Sequence, residues 1–105
     1  MTTAADLFAR MPETFDAAKA GNMEATVQFD LSGDGGGQWH VNIANGACAV
    51  GEGTAAAPTA TIRMNAPDYV KMVKGELNPV TAFMMGQIKV EGDLNTVMKF
   101  QTLFG

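Results

Sequence analysis

"ATVQFDLSGDGGGQWHVNIANGACAV", residues 25–50, decides the fold. Val27, Phe29 and Leu31 alternate with Thr26, Gln28 and Asp30, the period-two pattern of a strand buried on one face. Trp39, Val41 and Ile43 repeat the pattern after the polar, glycine-rich "SGDGGG", which reads as a loose hairpin loop. Asn45-Gly46 is a tight-hairpin signal, because a type I′ turn needs positive φ at both positions. A two-residue turn there sets Ala44 opposite Ala47, Ile43 opposite Cys48 and Val41 opposite Val50. Cross-strand partners share a face, so Cys48 and Val50 turn toward the core. Three antiparallel strands form a meander.

On the N-terminal side, Thr3 and Asp6 have the spacing of a capping box. Leu7, Phe8, Met11 and Phe15 recur at helical spacing, and Pro12 is expected to end or kink this helix near Met11. "DAAKAG" is a helical turn closed by Gly21. On the C-terminal side, "GTAAAPT" is a connector and "ATIRMN" a fourth strand, with Ile62 and Met64 inward and Arg63 outward. Asn65 caps a helix with Pro67 in its first turn, and Tyr69, Met72 and Val73 as its apolar stripe. Asn78-Pro79 starts a second short helix, "PVTAFMM", stopped at Gly86. "QIKVEG" is a fifth strand with Ile88 and Val90 inward. Asp93 caps a last helix carrying Leu94, Val97, Met98, Phe100, Leu103 and Phe104. The expected class is α+β: a single domain over residues 1–105, one sheet with helices on one face.

Composition narrows the function. A formal net charge of −4, with the seven Lys and Arg scattered singly, opposes a nucleic-acid surface or a polybasic membrane patch. Cys48 is the single cysteine, so no internal disulfide forms. The N-terminal residues lack the apolar run of a secretory signal, and no stretch is long enough to span a bilayer. The expectation is a cytoplasmic protein. The glycines at 33 and 35–37 lie between two strands without a lysine, so they are not a phosphate loop. Asp30 and Asp34 do not match calcium-loop spacing. His40 faces away from Trp39 and reads as a surface or hydrogen-bonded residue. Cys48 faces inward with no basic neighbour to lower its pKa. No metal-ligand spacing, cofactor motif or catalytic constellation is present.

Methionine is abundant, with eight in 105 residues, and Met64, Met72, Met84, Met85 and Met98 fall in the second half. Met is flexible and polarizable and suits adaptable apolar surfaces. A short helix buries one face, yet Phe83, Met84 and Met85 surround most of theirs. Such faces either meet another subunit or enclose a space. Trp39 is a core residue or a wall of that space. A dry space lined by Met and Phe accepts alkyl chains, at roughly 0.8 kcal/mol per buried methylene. Association and ordering costs leave roughly micromolar affinity. Filling the space with Met84→Trp or Met98→Trp is then expected to weaken lipid binding.

"GELNPVTAFMMGQIKVEGDLNTVMKFQTLF", read with the upstream meander, resembles the sterol carrier protein type-2 domain family. The residues that carry the resemblance are Gly75, Leu77, Pro79, Ala82, Phe83, Gly86, Lys89, Gly92, Asp93 and Met98. It covers Leu7 to Phe104, with the C-terminal half the specific part. It implies a five-stranded mixed β-sheet covered on one face by helices, enclosing an apolar tunnel. It also implies non-enzymatic binding of a fatty acid, fatty acyl-CoA, phospholipid or sterol. Carried over by position, the tunnel wall comprises Tyr69, Met72, Phe83, Met84, Met85, Val97, Met98 and Phe104, with Phe29, Trp39, Ile43, Ile62 and Met64 from the sheet. No peroxisomal tail is present, which points to a bacterial stand-alone type. No cluster of Lys or Arg marks a coenzyme A phosphate site. The rival readings are an interaction or dimerisation domain of the same fold, and an enzyme of lipid metabolism using Cys48. The expected partners are a lipid or fatty acyl ligand and no nucleic acid, with a transient membrane contact and a homodimer left open.

Overall fold

Local signals start each element of the computed structural model, which describes residues 3–101 and residue 103. Thr3 closes a full capping box on α1 (Ala4–Thr14): its hydroxyl accepts from Asp6 N at 3.2 Å, and the Asp6 carboxylate accepts from Thr3 N at 3.1 Å. Those bonds favour the ionised carboxyl and hold Asp6 below its usual pKa. Pro12 does not end the helix at Met11. It lies in the last turn, where its missing N–H forfeits a single helical bond, and α1 runs on to Thr14. Asp16 caps the short α2 (Ala17–Ala20) through Ala18 N and Lys19 N.

The strands are β1 (Ala25–Ser32), β2 (Gly37–Ala44), β3 (Ala47–Glu52), β4 (Ala60–Asn65) and β5 (Lys89–Gly92). Their order is β3-β2-β1-β4-β5, with β1 and β4 parallel and every other pair antiparallel. Asn45 and Gly46 take φ of 55° and 71°, and the register is the one their turn demands: Ile43 opposite Cys48, Val41 opposite Val50. Cys48 and Val50 are only half-buried, because β3 is an edge strand and the core thins there. The helices α3 (Ala66–Val73), α4 (Pro79–Met84) and α5 (Leu94–Gln101) follow the caps Asn65, Asn78 and Asp93.

The helices lie on one face of the sheet. Phe8 of α1 is stacked between Trp39 at 4.8 Å and Tyr69 at 5.1 Å, and meets Phe29 edge-on at 5.1 Å. Such ring pairs contribute roughly 0.5–1.5 kcal/mol each beyond their burial. They tie α1 and α3 to the two central strands.

The opposite face departs from the expected alternation at one residue. Gln28 should face water, yet it is 2% exposed. To carry the chain from the edge strand β3 to β4, residues 53–59 must cross behind β2 and β1. Gln28 lies beneath that crossover and satisfies it. Its Nε2 donates to the Gly53 carbonyl and to Asp30, each at 3.2 Å, and its Oε1 accepts from Ala55 N at 2.7 Å. His40 Nδ1 lies 3.2 Å from the same Gly53 carbonyl. The His40 ring lies over Gly51, where a Cβ would come 2.6 Å from Nε2. Farther along this face, Arg63 bridges Asp30 at 3.6 Å and Glu91 at 3.3 Å, in a solvent-exposed row.

Candidate functional site: an apolar cavity between the helices and the sheet

Phe29 of β1 and Ile62 of β4 are cross-strand partners, and their side chains form the floor of a cavity of about 510 Å³. α1 supplies Leu7, Met11 and Thr14, one face of a helix at i, i+4 and i+7. α3 supplies Tyr69, Met72 and Val73 from its apolar stripe. Pro79 and Phe100 complete the wall. The volume falls in the range of about 300–1,000 Å³ typical of small-molecule sites. Phe29, Ile62 and Tyr69 are buried. Leu7, Met72 and Pro79 are half-buried, and Val73 is 49% exposed, so the space opens at the α1–α3–α4 side.

The chemistry of this wall is uniform. No charged side chain is among its described residues, and its polar side chains are Thr14 and Tyr69. The Thr14 hydroxyl donates to the Met11 carbonyl at 3.2 Å. Burial pushes the Tyr69 hydroxyl well above the usual tyrosine pKa, so it stays protonated. Such a surface can exclude water and hold hydrocarbon. Cys48 lies outside it, and burial raises its thiol pKa, the opposite of an activated nucleophile. Among the described residues, no group of three His, Cys, Asp or Glu is disposed to hold a metal. A second concavity of about 860 Å³, at the end of the sheet, is lined by Asp30, Arg63, Asp68, Lys89 and Glu91 among others. Arg63 there is tied to two carboxylates, and the groove is charged where the cavity is apolar.

The structure brings four of the residues singled out in the sequence, Phe29, Ile62, Tyr69 and Met72, to this one cavity. Trp39 and Ile43 pack in the core, Met64 borders the polar groove, and Val97 is buried without lining the cavity. Phe83, Met84, Met85 and Met98 do not face it; they are 44%, 80%, 71% and 60% exposed. Ala82 is the fully buried residue of α4, with Pro79 half-buried at the cavity wall, and a helix this short turns Phe83 and Met84 out. Met84→Trp and Met98→Trp are therefore not substitutions that fill this cavity. Phe104 lies outside the described residues. Leu7, Met11, Thr14, Val73, Pro79 and Phe100 were not singled out as wall residues. For the α1 residues the signal was present in the helical spacing of Leu7 and Met11, which marks a buried stripe without saying what it borders.

A five-stranded mixed sheet in this order, with one helical face and an apolar cavity beneath it, is a fold with established relatives. The chain belongs to the SCP-2 sterol transfer family, whose model matches residues 5–105. It is similar to hydroxysteroid dehydrogenase-like protein 2 of Xenopus tropicalis, at 32% identity over 103 residues. That match covers 90% of this chain but 25% of the relative, so the chain spans about a quarter of the relative's length. Its fold is also that of part of the stereoselective inverting sec-alkylsulfatase Pisa1 from Pseudomonas sp. That likeness has a TM-score of 0.86 and 20% identity, over 98% of this chain and 16% of that one. Palmitated SCP2L2 from Aedes aegypti matches with a TM-score of 0.78 and 19% identity, covering 94% of this chain and 91% of that one. Among the described residues, no helix is long and apolar enough to cross a membrane.

Proposed function

We propose that the protein is a non-enzymatic lipid carrier that holds the hydrocarbon part of a single-headed lipid in the cavity between α1, α3 and the sheet. The observation that carries this reading is the charge-free lining of a roughly 510 Å³ space that opens to solvent past a half-buried apolar lip. Each methylene transferred from water to such a wall contributes roughly 0.8 kcal/mol. A long alkyl chain can therefore offset its ordering and association costs and bind in roughly the micromolar range. Membership of a sterol transfer family supports the reading, as does a palmitated relative of the same fold. α3, α4 and the C-terminal helix α5 form the adjustable wall, and release follows when those helices part. The carrier acts in the cytoplasm, as a lipid-binding unit with no chemical step of its own.

The test is native mass spectrometry of the purified protein, followed by denaturing extraction and identification of what is released. A bound lipid freed on unfolding is the expected result. An empty protein that also takes up no added fatty acid or alcohol overturns the carrier reading. A second reading, an interaction domain, is favoured by a different observation: Val80, Phe83 and Met84 leave an exposed apolar stripe on α4. A concentration-dependent dimer without lipid uptake would be its mark.

A further inference from the structure

Tyr69 sets a chemical problem within the cavity. The residue is 2% exposed and lines the space, and its ring is fixed by Phe8 on its face and Phe29 at 5.7 Å. Its hydroxyl makes no hydrogen bond to any described residue. Buried tyrosine hydroxyls ordinarily find a partner, and one that does not needs an explanation. Among the described residues, no side-chain nitrogen or oxygen shut off from solvent lacks a partner, so this hydroxyl borders open space. The open space that Tyr69 lines is the cavity. Tyr69 thus brings a hydroxyl, on a ring held by Phe8 and Phe29, to a cavity whose other polar side chain is Thr14 at the exposed rim.

We infer that the Tyr69 hydroxyl is the internal anchor for the ligand's polar end, and that the cavity selects a lipid bearing an uncharged oxygen, a hydroxyl or a carbonyl, over one with an ionised head. This rests on the lipid-carrier reading and deepens it. The selection follows from the lining. A phenol can donate to a neutral oxygen or accept from a hydroxyl. An ionised carboxylate brought to the same place would meet no Lys, Arg or His in the described wall, and a buried charge without a partner is strongly disfavoured. An ionised fatty acid must therefore keep its head at the lip, whereas an alcohol can enter oxygen-first.

The experiment uses the whole chain and two readouts. First, dodecan-1-ol and dodecane compete separately against pyrene, a neutral reporter without hydrogen-bonding groups, in the wild type and in Tyr69→Phe. The substitution keeps the stacked ring. Dodecan-1-ol should bind Tyr69→Phe about two- to tenfold more weakly, the range that one neutral hydrogen bond supplies, while dodecane and pyrene change less than about twofold. Second, Tyr69 is the only tyrosine, so labelling tyrosine with ¹³C at Cζ gives one resonance in the unaltered protein. That resonance should move with dodecan-1-ol and not with dodecane. Equal binding of dodecan-1-ol by both proteins, or the same Cζ shift with both ligands, overturns the anchor and leaves the carrier reading intact. Failure of pyrene and both ligands to bind the wild type overturns the carrier reading and the anchor with it.

Discussion

Replacing Gln28 by leucine isolates the group that fastens the chain's crossover behind the sheet. Leucine has similar bulk, so the strand keeps its packing and loses three hydrogen bonds: Nε2 to Gly53 O, Nε2 to Asp30, and Ala55 N to Oε1. The Gly53 carbonyl keeps His40 as a neighbour and Asp30 keeps Arg63, so neither is stranded. The Ala55 N–H loses its 2.7 Å acceptor, and a stranded donor alone costs about 1–3 kcal/mol. The two Nε2 bonds add roughly 0.5–1.5 kcal/mol each, and burying the more apolar leucine offsets part of the sum. The expected loss is about 2–3 kcal/mol, or on the order of 10 °C in Tm for a domain of this size. Urea titration measures the first and calorimetry the second. Hydrogen exchange adds a local readout, since the Ala55 amide should lose protection well before the β1–β2 amides. A change below about 0.5 kcal/mol, with Ala55 still protected, would refute the claim that Gln28 holds the crossover.

Three further outcomes follow from particular side chains. Met72→Trp projects a larger side chain from α3 into the cavity and should weaken dodecan-1-ol binding at least about tenfold in a folded protein; Met84→Trp, on the exposed stripe, should leave binding within about twofold, both read by pyrene displacement. Tyr69 has its pKa raised by burial, so folding favours the protonated form; stability should hold below pH 10.0 and fall as pH rises beyond it, and Tyr69→Phe should flatten that alkaline branch in urea titrations. Asp6 has its pKa lowered by the capping box, so its contribution is full above pH 3.8 and is lost as pH falls through the lower folded-state value. Asp6→Asn should therefore be less stable than wild type at neutral pH and converge with it in acid.

Short-range chemistry was legible in the sequence. The Asn45-Gly46 turn determines which residues oppose each other across β2 and β3, and the caps Thr3, Asn65, Asn78 and Asp93 start the four longer or Pro-led helices where their side chains bond the first turn. What depends on how elements meet was not legible. The spacing of α4 groups Phe83, Met84 and Met85 but does not reveal that Ala82, the smallest residue of its face, is the one that packs closely. α5 carries apolar residues around much of its circumference, and only the docked helix distinguishes buried Val97 and Phe100 from exposed Met98. Gln28 reads as a solvated strand residue until the crossover is laid across it. The cavity wall draws on α1, α3, α4, α5 and two strands, so no single stretch of sequence could display it.

The parallel pairing of β1 with β4 also has a kinetic side. The meander closes through short loops, whereas Val27 meets Ala60 only after the intervening chain has been gathered up. Loop closure of that kind is slow relative to hairpin formation. The β1–β3 meander should therefore form early and tolerate exposure on its own, with α1 as its first cover. Half of the cavity floor, Ile62, and the α3, α4 and α5 walls come later in the chain. The cavity is thus complete only after β4 and the helices that follow it have docked: a chain stalled before β4 docks can present a sheet but no compartment. A ligand in the cavity should accordingly slow unfolding more than it speeds folding, as expected for contacts made after the meander has formed.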